Sequence, residues 1–555
     1  MTKLSYPLGF LLHGLLLCCA QLAVQAAPPP PAAPKVVTST TDPYTLFRYK
    51  NYRVALSGFL DLAKSKGKDD VEITNKIGLC YLYGSIDYKK AIEYLSSVAK
   101  DEKGDTEAEF NCGKAYQNSL MFEDAIACYK RYMENPRVKS SANFSELERK
   151  AKRAVETCNN GKILVANPVE VVFENLGKEV NSPFDDLDPF ITPNKTVLVY
   201  SSNRQDGNQC LVPRKAGFTS DLYLSSFRLG KWSKAVNMGS VVNTPLNERV
   251  VSINDDASQI FLYIDNEEST KDGDIYLAVA RNKVFDTPFS LKGLVNSKDE
   301  ESAASISDDG SMLVFSSDRP GGAGQKDLFI AKRLPDQSWG EPRRLKDNVN
   351  TPYNEDFPIL TNDDKTIYFC SEGHNSMGGF DIFRTDWVDT LNAWSDPVNV
   401  GYPINTPEDN FSISFTSNKN EGFISSIRPE GMGGYDIYSI VFTQAEGAPY
   451  SVVKGSVKNS GADVNNNVTI SVVSSKTKSL VGKYNISPRK SGRFFGIFYP
   501  GEYDLEFNSP GLPPLNEHVR IIDKNSRGEI LQHEFDFSGP KPKTAPGDGG
   551  KKQKK

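Results

Sequence analysis

A repeated pattern of acidic residues is the part of the sequence best suited to chemistry. Five segments between residues 180 and 445 each begin with an asparagine, at Asn181, Asn243, Asn296, Asn350 and Asn405. In four copies an acidic residue follows the asparagine after five residues, and in the fifth copy it follows after four. These acids are Asp186, Glu248, Glu301, Glu355 and Asp409. A ring of carboxylates at one mouth of a channel could bind a cation or a basic ligand. The alternative, which we favour, is that each carboxylate accepts backbone N–H groups and fixes a turn, since repeated residues mostly serve repeated geometry.

A second repeated set closes each segment. A glycine-rich loop ends in an aspartate followed by an apolar residue and an aromatic one, at Asp221, Asp274, Asp327, Asp381 and Asp436. A tryptophan follows in three copies, at Trp232, Trp339 and Trp394, with Phe285 in its place in the second. We expect both sets to be structural.

The remaining chemistry-bearing residues favour a protein without an active site. The chain has only 4 His, and His374 is predicted to be a solvated loop residue. No GxSxG, HExxH or phosphate-binding loop occurs, and the cysteine spacings match no zinc pattern. We therefore expect no enzyme, no cofactor and no metal. With 65 Lys plus Arg against 70 Asp plus Glu, the charge also argues against nucleic acid as a partner.

The first residues indicate export. Residues 1–26 resemble a secretory signal, with Lys3 before a mostly apolar stretch and cleavage expected after Ala26. Lipidation at Cys18 or Cys19 is the alternative, although leucines stand where a small residue is expected. A proline-rich linker follows over residues 27–43. We expect a protein of the periplasm or one associated with the outer membrane.

The elements that position these residues begin with a helical region over residues 44–160. Gly78 and Gly113 each precede a tyrosine by three residues, and Ala91 and Ala125 follow at similar spacings. This pattern, with a period near 34, resembles tetratricopeptide (TPR) repeats. The last helix is predicted to open with a capping box of Ser145 and Glu148 and to stop at Asn159-Asn160-Gly161.

Residues 161–445 predict an all-β propeller. The segments recur every 53 to 62 residues with about four strands each, which is typical of blades around an axis. We count five blades, with six as the alternative. The fifth copy lacks its last strand, and residues 171–182 are predicted to supply it. Motifs such as SSDRPGGAGQKDLF resemble the TolB-like and WD-repeat-like propellers of Bacteroidota envelope proteins, over roughly half the chain.

The last folded part is predicted over residues 446–537 as a small β-sandwich. The order of its strands around Gly492 and Pro500 resembles the carboxypeptidase regulatory-like domain, which carries no catalytic residues. Residues 538–555 form a basic tail, predicted to be disordered, with six lysines and one aspartate.

This order of domains is similar to that of Bacteroidota envelope proteins associated with type IX secretion and gliding, without their OmpA-like domain. The resemblance implies a noncatalytic scaffold that binds other envelope proteins through its TPR and propeller faces, with peripheral attachment to the outer membrane or peptidoglycan. A small molecule is not an expected partner. The alternatives are a propeller enzyme acting on glycans or peptides, and a sensor of a ligand or cation.

Overall fold

The structure is a computed structural model of the 555-residue chain. It describes residues 42–66, 70–208, 211–212, 217–265, 273–282, 284–291, 293–361, 364–417, 420–442, 451–458, 468–475, 478, 480–486, 493–498, 501–508, 514–521 and 530–536. The predicted signal with Cys18, Cys19 and Ala26, and the predicted basic tail, lie outside these residues.

The chain begins with helices that pack in sequence order, each against the next. They are α1 (Pro43–Arg48), α2 (Tyr52–Lys66), α3 (Val71–Cys80), a π-helical turn (Tyr81–Ser85), α4 (Tyr88–Ala99), α5 (Glu107–Asn118), α6 (Phe122–Glu134), α7 (Pro136–Lys139) and α8 (Phe144–Ala166).

Two glycines explain the close approach of neighbouring helices. A Cβ atom at Gly78 would lie 2.7 Å from Cγ of Leu95, and one at Gly113 would lie 2.7 Å from Cε1 of Tyr129. Only a residue without a side chain allows α3 to pack this closely on α4, and α5 on α6. The glycine–tyrosine pattern of the sequence therefore reflects how helices meet in pairs.

The last helix differs from the sequence prediction at both ends. It begins at Phe144, after Asn143, so Ser145 lies within the helix and is not its cap. It also continues through Gly161 to Ala166. Gly161 does not end the helix because it serves packing: a Cβ atom there would lie 2.6 Å from Cε1 of Phe122.

Five antiparallel sheets follow in the described part of residues 171–442. Sheet 1 contains β2 (Asp186–Ile191), β3 (Val197–Ser202), β6 (Asp221–Arg228), β7 (Lys231–Trp232) and β8 (Val236–Asn237). Sheet 2 contains β9 (Asn247–Ile253), β10 (Gln259–Asp265), β11 (Asp274–Arg281), β12 (Val284–Phe285) and β13 (Phe289–Ser290). Sheet 3 contains β14 (Glu301–Ile306), β15 (Met312–Ser317), β16 (Asp327–Lys332) and β17 (Arg343–Arg344). Sheet 4 contains β18 (Glu355–Leu360), β19 (Thr366–Ser371), β20 (Asp381–Val388), β21 (Ala393–Trp394) and β22 (Val398–Asn399). Sheet 5 contains β1 (Val171–Asn175), β23 (Ile413–Phe415), β24 (Glu421–Ser426) and β25 (Asp436–Phe442). Between β3 and β6 in the sequence, β4 (Leu211–Val212) and β5 (Gly217–Phe218) pair with each other as a separate two-stranded ribbon.

The sheets surround a common axis. Their first strands contact one another from sheet to sheet, as β2 contacts β9 and β23, and β14 contacts β9 and β18. Apolar cores fill the spaces between sheets 1 and 2, 2 and 3, 3 and 4, 4 and 5, and 5 and 1. This is the arrangement of a β-propeller.

The strand that precedes the first sheet completes the last one. β1 pairs antiparallel with β25, from Val171 opposite Phe442 to Asn175 opposite Tyr438. Within the segment 171–182, for which this pairing was predicted, Val171–Asn175 form the strand that completes the last sheet. Arg428, in the loop between β24 and β25, packs on this strand: its guanidinium carbon lies 3.3 Å from the ring centre of Phe173.

The described residues after position 450 form two further sheets. The first has the order β29 (Arg493–Phe498), β26 (Ser451–Lys458), β32 (Ile530–Asp536), with β26 and β32 parallel. The second has the order β28 (Leu480–Ile486), β27 (Val468–Ser474), β30 (Gly501–Asn508), β31 (Leu515–Ile521). Most of the predicted sandwich is thus strand, although Gly492 and Pro500 lie outside the described residues.

Candidate functional site: the propeller axis and the docked helices

Four of the five predicted acids lie at the entrance of a first strand and are fully buried: Asp186, Glu248, Glu301 and Glu355. Each accepts the backbone N–H and the hydroxyl group of the serine or threonine four residues earlier. In sheet 4, for example, Thr351 N and Oγ1 lie 2.7 and 2.6 Å from the two carboxylate oxygens of Glu355. The carboxylates thus hold the turn into each sheet, and none of the four is exposed at a channel mouth.

The fifth predicted acid, Asp409, occupies a different position. Asn410 stands where the other sheets have their buried carboxylate, and Thr406 donates to its Oδ1 at 3.1 Å. Asp409 is exposed and accepts the backbone N–H of Phe380 at 3.0 Å. Asn410 carries an amide because its Nδ2 donates to the carbonyl groups of three residues, which a carboxylate could not do. Counting Asp409 as the fifth member of the ring was therefore wrong.

The buried acids differ in their partners. Arg204 donates to Asp186, and Arg319 Nη2 lies 2.9 Å from Glu301 Oε1. Within the described residues, Glu248 and Glu355 have no cationic partner. Burial consequently raises the pKa of Glu248 to about 8 and that of Glu355 to about 7.

The second set of aspartates anchors the glycine-rich loops. In three sheets an asparagine of the outer strand donates to the carboxylate: Asn237 to Asp221 at 2.7 Å, Asn399 to Asp381 at 2.7 Å, and Asn175 to Asp436 at 2.8 Å. In sheet 3, Arg344 Nε lies 3.3 Å from Asp327. Backbone N–H groups of the loops donate to Asp327, Asp381 and Asp436. The loop before Asp274 lies outside the described residues, and burial raises the pKa of this aspartate.

The asparagine that begins each segment joins one sheet to the next, a role that the sequence did not assign. Each side-chain amide both accepts from the N–H and donates to the C=O of one residue in the preceding sheet. Asn350, for instance, contacts Leu328 N at 2.8 Å and Leu328 O at 3.1 Å. The same pair of bonds occurs at Asn181, Asn243, Asn296 and Asn405. Fivefold recurrence was the signal that could have identified it.

The three repeated tryptophans pack between sheets. Trp232 of sheet 1 meets the ring of Phe423 in sheet 5, with ring centres 5.9 Å apart. Trp339 belongs to the core between sheets 2 and 3, and Trp394 to the core between sheets 3 and 4. Phe285 packs into the core between sheets 1 and 2.

Side chains from several sheets meet at the axis in what we call the axial cluster: Asp188, Arg249, Phe357 and Phe411. Arg249 of sheet 2 forms two hydrogen bonds to Asp188 of sheet 1, at 2.7 and 2.8 Å. Its guanidinium carbon lies 5.0 Å from the ring centre of Phe357 in sheet 4 and 5.6 Å from that of Phe411, next to sheet 5. The two rings are themselves in contact, with centres 5.3 Å apart, so the arginine is paired in charge and packs against an aromatic pair.

A polar chain continues beside this cluster. Asp356 accepts from Ser302 at 2.8 Å, and Lys326 lies 3.4 Å from its second oxygen. Lys326 also contacts Glu300 at 3.0 Å, and Tyr263 donates to Glu300 at 2.9 Å. Each charged side chain of this polar group therefore lies next to one of opposite charge.

His374 is not the solvated residue that the sequence predicted. Its Nε2 lies 2.8 Å from the carbonyl oxygen of Val349, and its ring packs 5.1 Å from that of Phe383. Arg319 of sheet 3 makes the corresponding contact with Val295 O, so His374 replaces an arginine of the repeat. Burial lowers the pKa of His374 to about 4, and the ring stays neutral near pH 7.

The helical domain docks on the propeller through the loop that contains His374. Arg153 of α8 donates to the carbonyl oxygens of Glu372 and Gly373, at 2.6 and 2.8 Å. Asn160 donates to Ser376 O at 2.9 Å. From α5, Gln117 donates to the next carbonyl, that of Met377, at 2.9 Å. We call residues 372–377 the docking loop.

The docking loop also buries an apolar side chain among the helices. Met377 is 0% exposed and belongs to a core with Phe110, Phe122 and Tyr129. The docking loop therefore packs against α5, α6 and α8. Helices and propeller also touch outside the loop: Tyr88 donates to Glu408 at 2.5 Å, and Arg53 to the carbonyl oxygen of Pro183 at 2.9 Å.

Among the described residues, no group of three or more His, Cys, Asp or Glu side chains is placed to hold a metal ion. Nor does any helix in that part of the chain have the length and apolar character needed to cross a membrane. The cysteines at positions 80, 112, 128, 158 and 370 are buried and are not joined by disulfides.

Comparison with known proteins finds distant likenesses only. No family model and no curated protein match the chain. Among solved structures, TolB from Acinetobacter baumannii is similar over 55% of this chain and 72% of its own, with 14% identity and a TM-score of 0.28. A glycoside hydrolase covers 50% of this chain and 94% of its own, at 8% identity and a TM-score of 0.34. The WD40 repeats of RRP9 cover 49% of this chain and 98% of their own, at 9% identity and a TM-score of 0.26.

Proposed function

We propose that the protein is a noncatalytic interaction scaffold of the bacterial outer envelope, built from TPR-like helices, a five-bladed propeller and a small β-sandwich. One observation carries the proposal: helices and propeller are joined by the docking loop, with Met377 buried among the helices. Two repeat domains fixed in this way present their outer surfaces to partners as one rigid body.

The axial cluster supports the same function. Arg249 and Asp188 form two hydrogen bonds, at 2.7 and 2.8 Å, and the guanidinium packs against the rings of Phe357 and Phe411. A bidentate pair that joins neighbouring sheets rigidifies the ring, which suits a platform.

The partner surface is proposed to lie on the helical face around Tyr83. Tyr83 is 40% exposed, its hydroxyl donates to Asn111 at 3.0 Å, and Lys114 Nζ lies 5.2 Å from its ring centre. An exposed aromatic ring beside a cation is typical of residues that contribute most to protein–protein binding.

The test is site-specific photocrosslinking in intact cells. We expect a crosslinker in place of Tyr83 to capture defined envelope proteins, and one in place of Arg149, which is exposed on α8, to capture none of them. Equal capture at the two positions, or capture of cytoplasmic proteins alone, would refute the proposed surface.

A matched pair of variants tests the rigid body. Arg153→Ala removes the bonds that this arginine makes to Glu372 and Gly373, whereas Arg149→Ala on the same helix leaves them intact. We expect Arg153→Ala to accelerate proteolysis between residues 161 and 170 and to weaken crosslinking from position 83. Unchanged proteolysis and crosslinking would contradict the rigid-body argument.

A further inference from the structure

Two cysteines lie on neighbouring helices, where α5 packs against α6. Cys112 lies on α5 and Cys128 on α6, each one residue before the glycine and tyrosine that touch. A Cβ atom at Gly113 would lie 2.7 Å from Cε1 of Tyr129, so this ring of α6 packs directly on the backbone of α5. Cys112 and Cys128 are both buried and belong to the same apolar core.

An ion pair lies next to the thiols. Arg131 Nη2 donates to Cys128 Sγ at 3.1 Å and contacts Glu109 Oε1 at 2.7 Å. A guanidinium group beside sulfur stabilises the thiolate form, which is the reactive form. Interaction with the Cys128 thiol is the largest influence on Cys112 and lowers its pKa.

The other described cysteines differ from this pair. Cys80 and Cys158 are buried singly, and burial raises the pKa of each to about 12. Cys370 lies in the propeller core, where burial likewise raises its pKa. Geometry and charge thus mark one pair.

We propose that Cys112 and Cys128 form a dithiol site that closes into a disulfide by exchange with an oxidant of the disulfide class. The Cys112 thiolate attacks one sulfur of the oxidant, forms a mixed disulfide and releases the first oxidant thiolate. The Cys128 thiolate then attacks Cys112 Sγ and releases the second. Two protein thiols are oxidised, one oxidant disulfide is reduced to two thiols, and the two protons pass to those thiols.

The bond would connect the two helices beneath the docking contact. Gln117 lies on α5, five residues after Cys112, and binds Met377 O, while Tyr129 of α6 donates to Gln117 at 2.7 Å. A disulfide at 112–128 therefore cross-links the two helices that hold this glutamine. The site is independent of the scaffold function proposed above.

The test uses the full chain with oxidised glutathione as the probe. In one arm, folded protein is treated with oxidised glutathione. In the second, urea-denatured protein is refolded in the same buffer, because thiols that are buried in the folded protein are accessible to the oxidant before the protein refolds. After alkylation and tryptic digestion, we expect residues 104–114 and 115–130 to be recovered as one linked peptide in at least the refolding arm. Dithiothreitol should separate them.

Variants make the assignment specific. Cys158→Ser should leave the linked peptide unchanged, whereas Cys128→Ser should abolish it and leave glutathione attached to Cys112. Recovery of both peptides alkylated in both arms would overturn the proposal. So would linkage of Cys112 or Cys128 to any other cysteine.

Discussion

Replacing Glu248 by glutamine should stabilise the propeller, and should do so only at alkaline pH. Glu248 is 0% exposed, accepts from Thr244, and has an Oε2 atom without a hydrogen-bond partner in the described part of the chain. Burial raises its pKa from 4.5 to about 8. The folded state therefore holds this proton more tightly than the unfolded state, and the carboxyl group favours folding less as the pH rises from 4.5 through 8.

The size of the effect follows from that difference. A pKa raised from 4.5 to about 8 corresponds to about 5 kcal/mol at pH values above both. Local relaxation and water entry reduce the cost of a buried charge, so we expect Glu248→Gln to raise the free energy of unfolding by about 2–4 kcal/mol at pH 8.5. At pH 5 a neutral side chain replaces a mostly neutral one, and the change should stay below about 1 kcal/mol.

The assay is urea unfolding followed by tryptophan fluorescence at the two pH values. All 4 tryptophans, at positions 232, 339, 387 and 394, lie in the propeller, so the signal reports that domain. Taking the difference in the free energy of unfolding between variant and wild type at each pH cancels the contributions of the other titrating groups. Glu301→Gln is the matched control: it leaves Arg319 without its carboxylate and should lower the free energy of unfolding by about 3 kcal/mol at pH 8.5. Equal stabilisation by Glu248→Gln at pH 5 and 8.5, or destabilisation at pH 8.5, would refute the reasoning.

Three further substitutions have defined outcomes. Asn350→Ala removes both bonds to Leu328 and should lower the free energy of unfolding by about 2 kcal/mol in the same fluorescence assay. Asn410→Asp replaces an amide that donates to three carbonyl groups by an acceptor, and should cost more than about 2 kcal/mol at pH 8. Gly161→Ala, which stabilises most helices, should here lower the melting temperature of the helices measured by circular dichroism, because its Cβ meets Phe122; a higher melting temperature would contradict the close packing.

The repeats carried most of what could be predicted about the propeller. Because each sheet uses the same polar contacts at its start, equivalent residues recur at a fixed spacing and can be found by alignment alone. The pairing of β1 with β25 was also predictable, since a last copy without its outer strand needs one from elsewhere.

Departures from the repeat were not predictable in the same way. Asp409 matches the acidic pattern by residue type, yet the backbone places Asn410 at the buried position, where three carbonyl groups select an amide. His374 takes the place of an arginine of the repeat, but it stands one residue later in its loop. Alignment of the repeats therefore did not reveal its hydrogen bond to the carbonyl group of Val349.

The docking of the helices on the propeller could not be predicted from the sequence for another reason. Arg153, Gln117 and Asn160 bind backbone carbonyl groups of the docking loop. Contacts to the main chain impose no side-chain pattern on the loop that receives them.

The seam between β1 and β25 has a mechanical consequence. The helices lead into β1 at Val171, and β25 leads to the C-terminal sheets at Phe442, and these two residues are direct partners. Tension between the two flanking domains would therefore load this strand pair from one end, breaking its hydrogen bonds one after another, as in a zipper. The docking loop resists such tension differently, because its bonds from Arg153, Asn160 and Gln117 bear load together. Under force, docking should protect the ring, and undocked protein should open at this seam first.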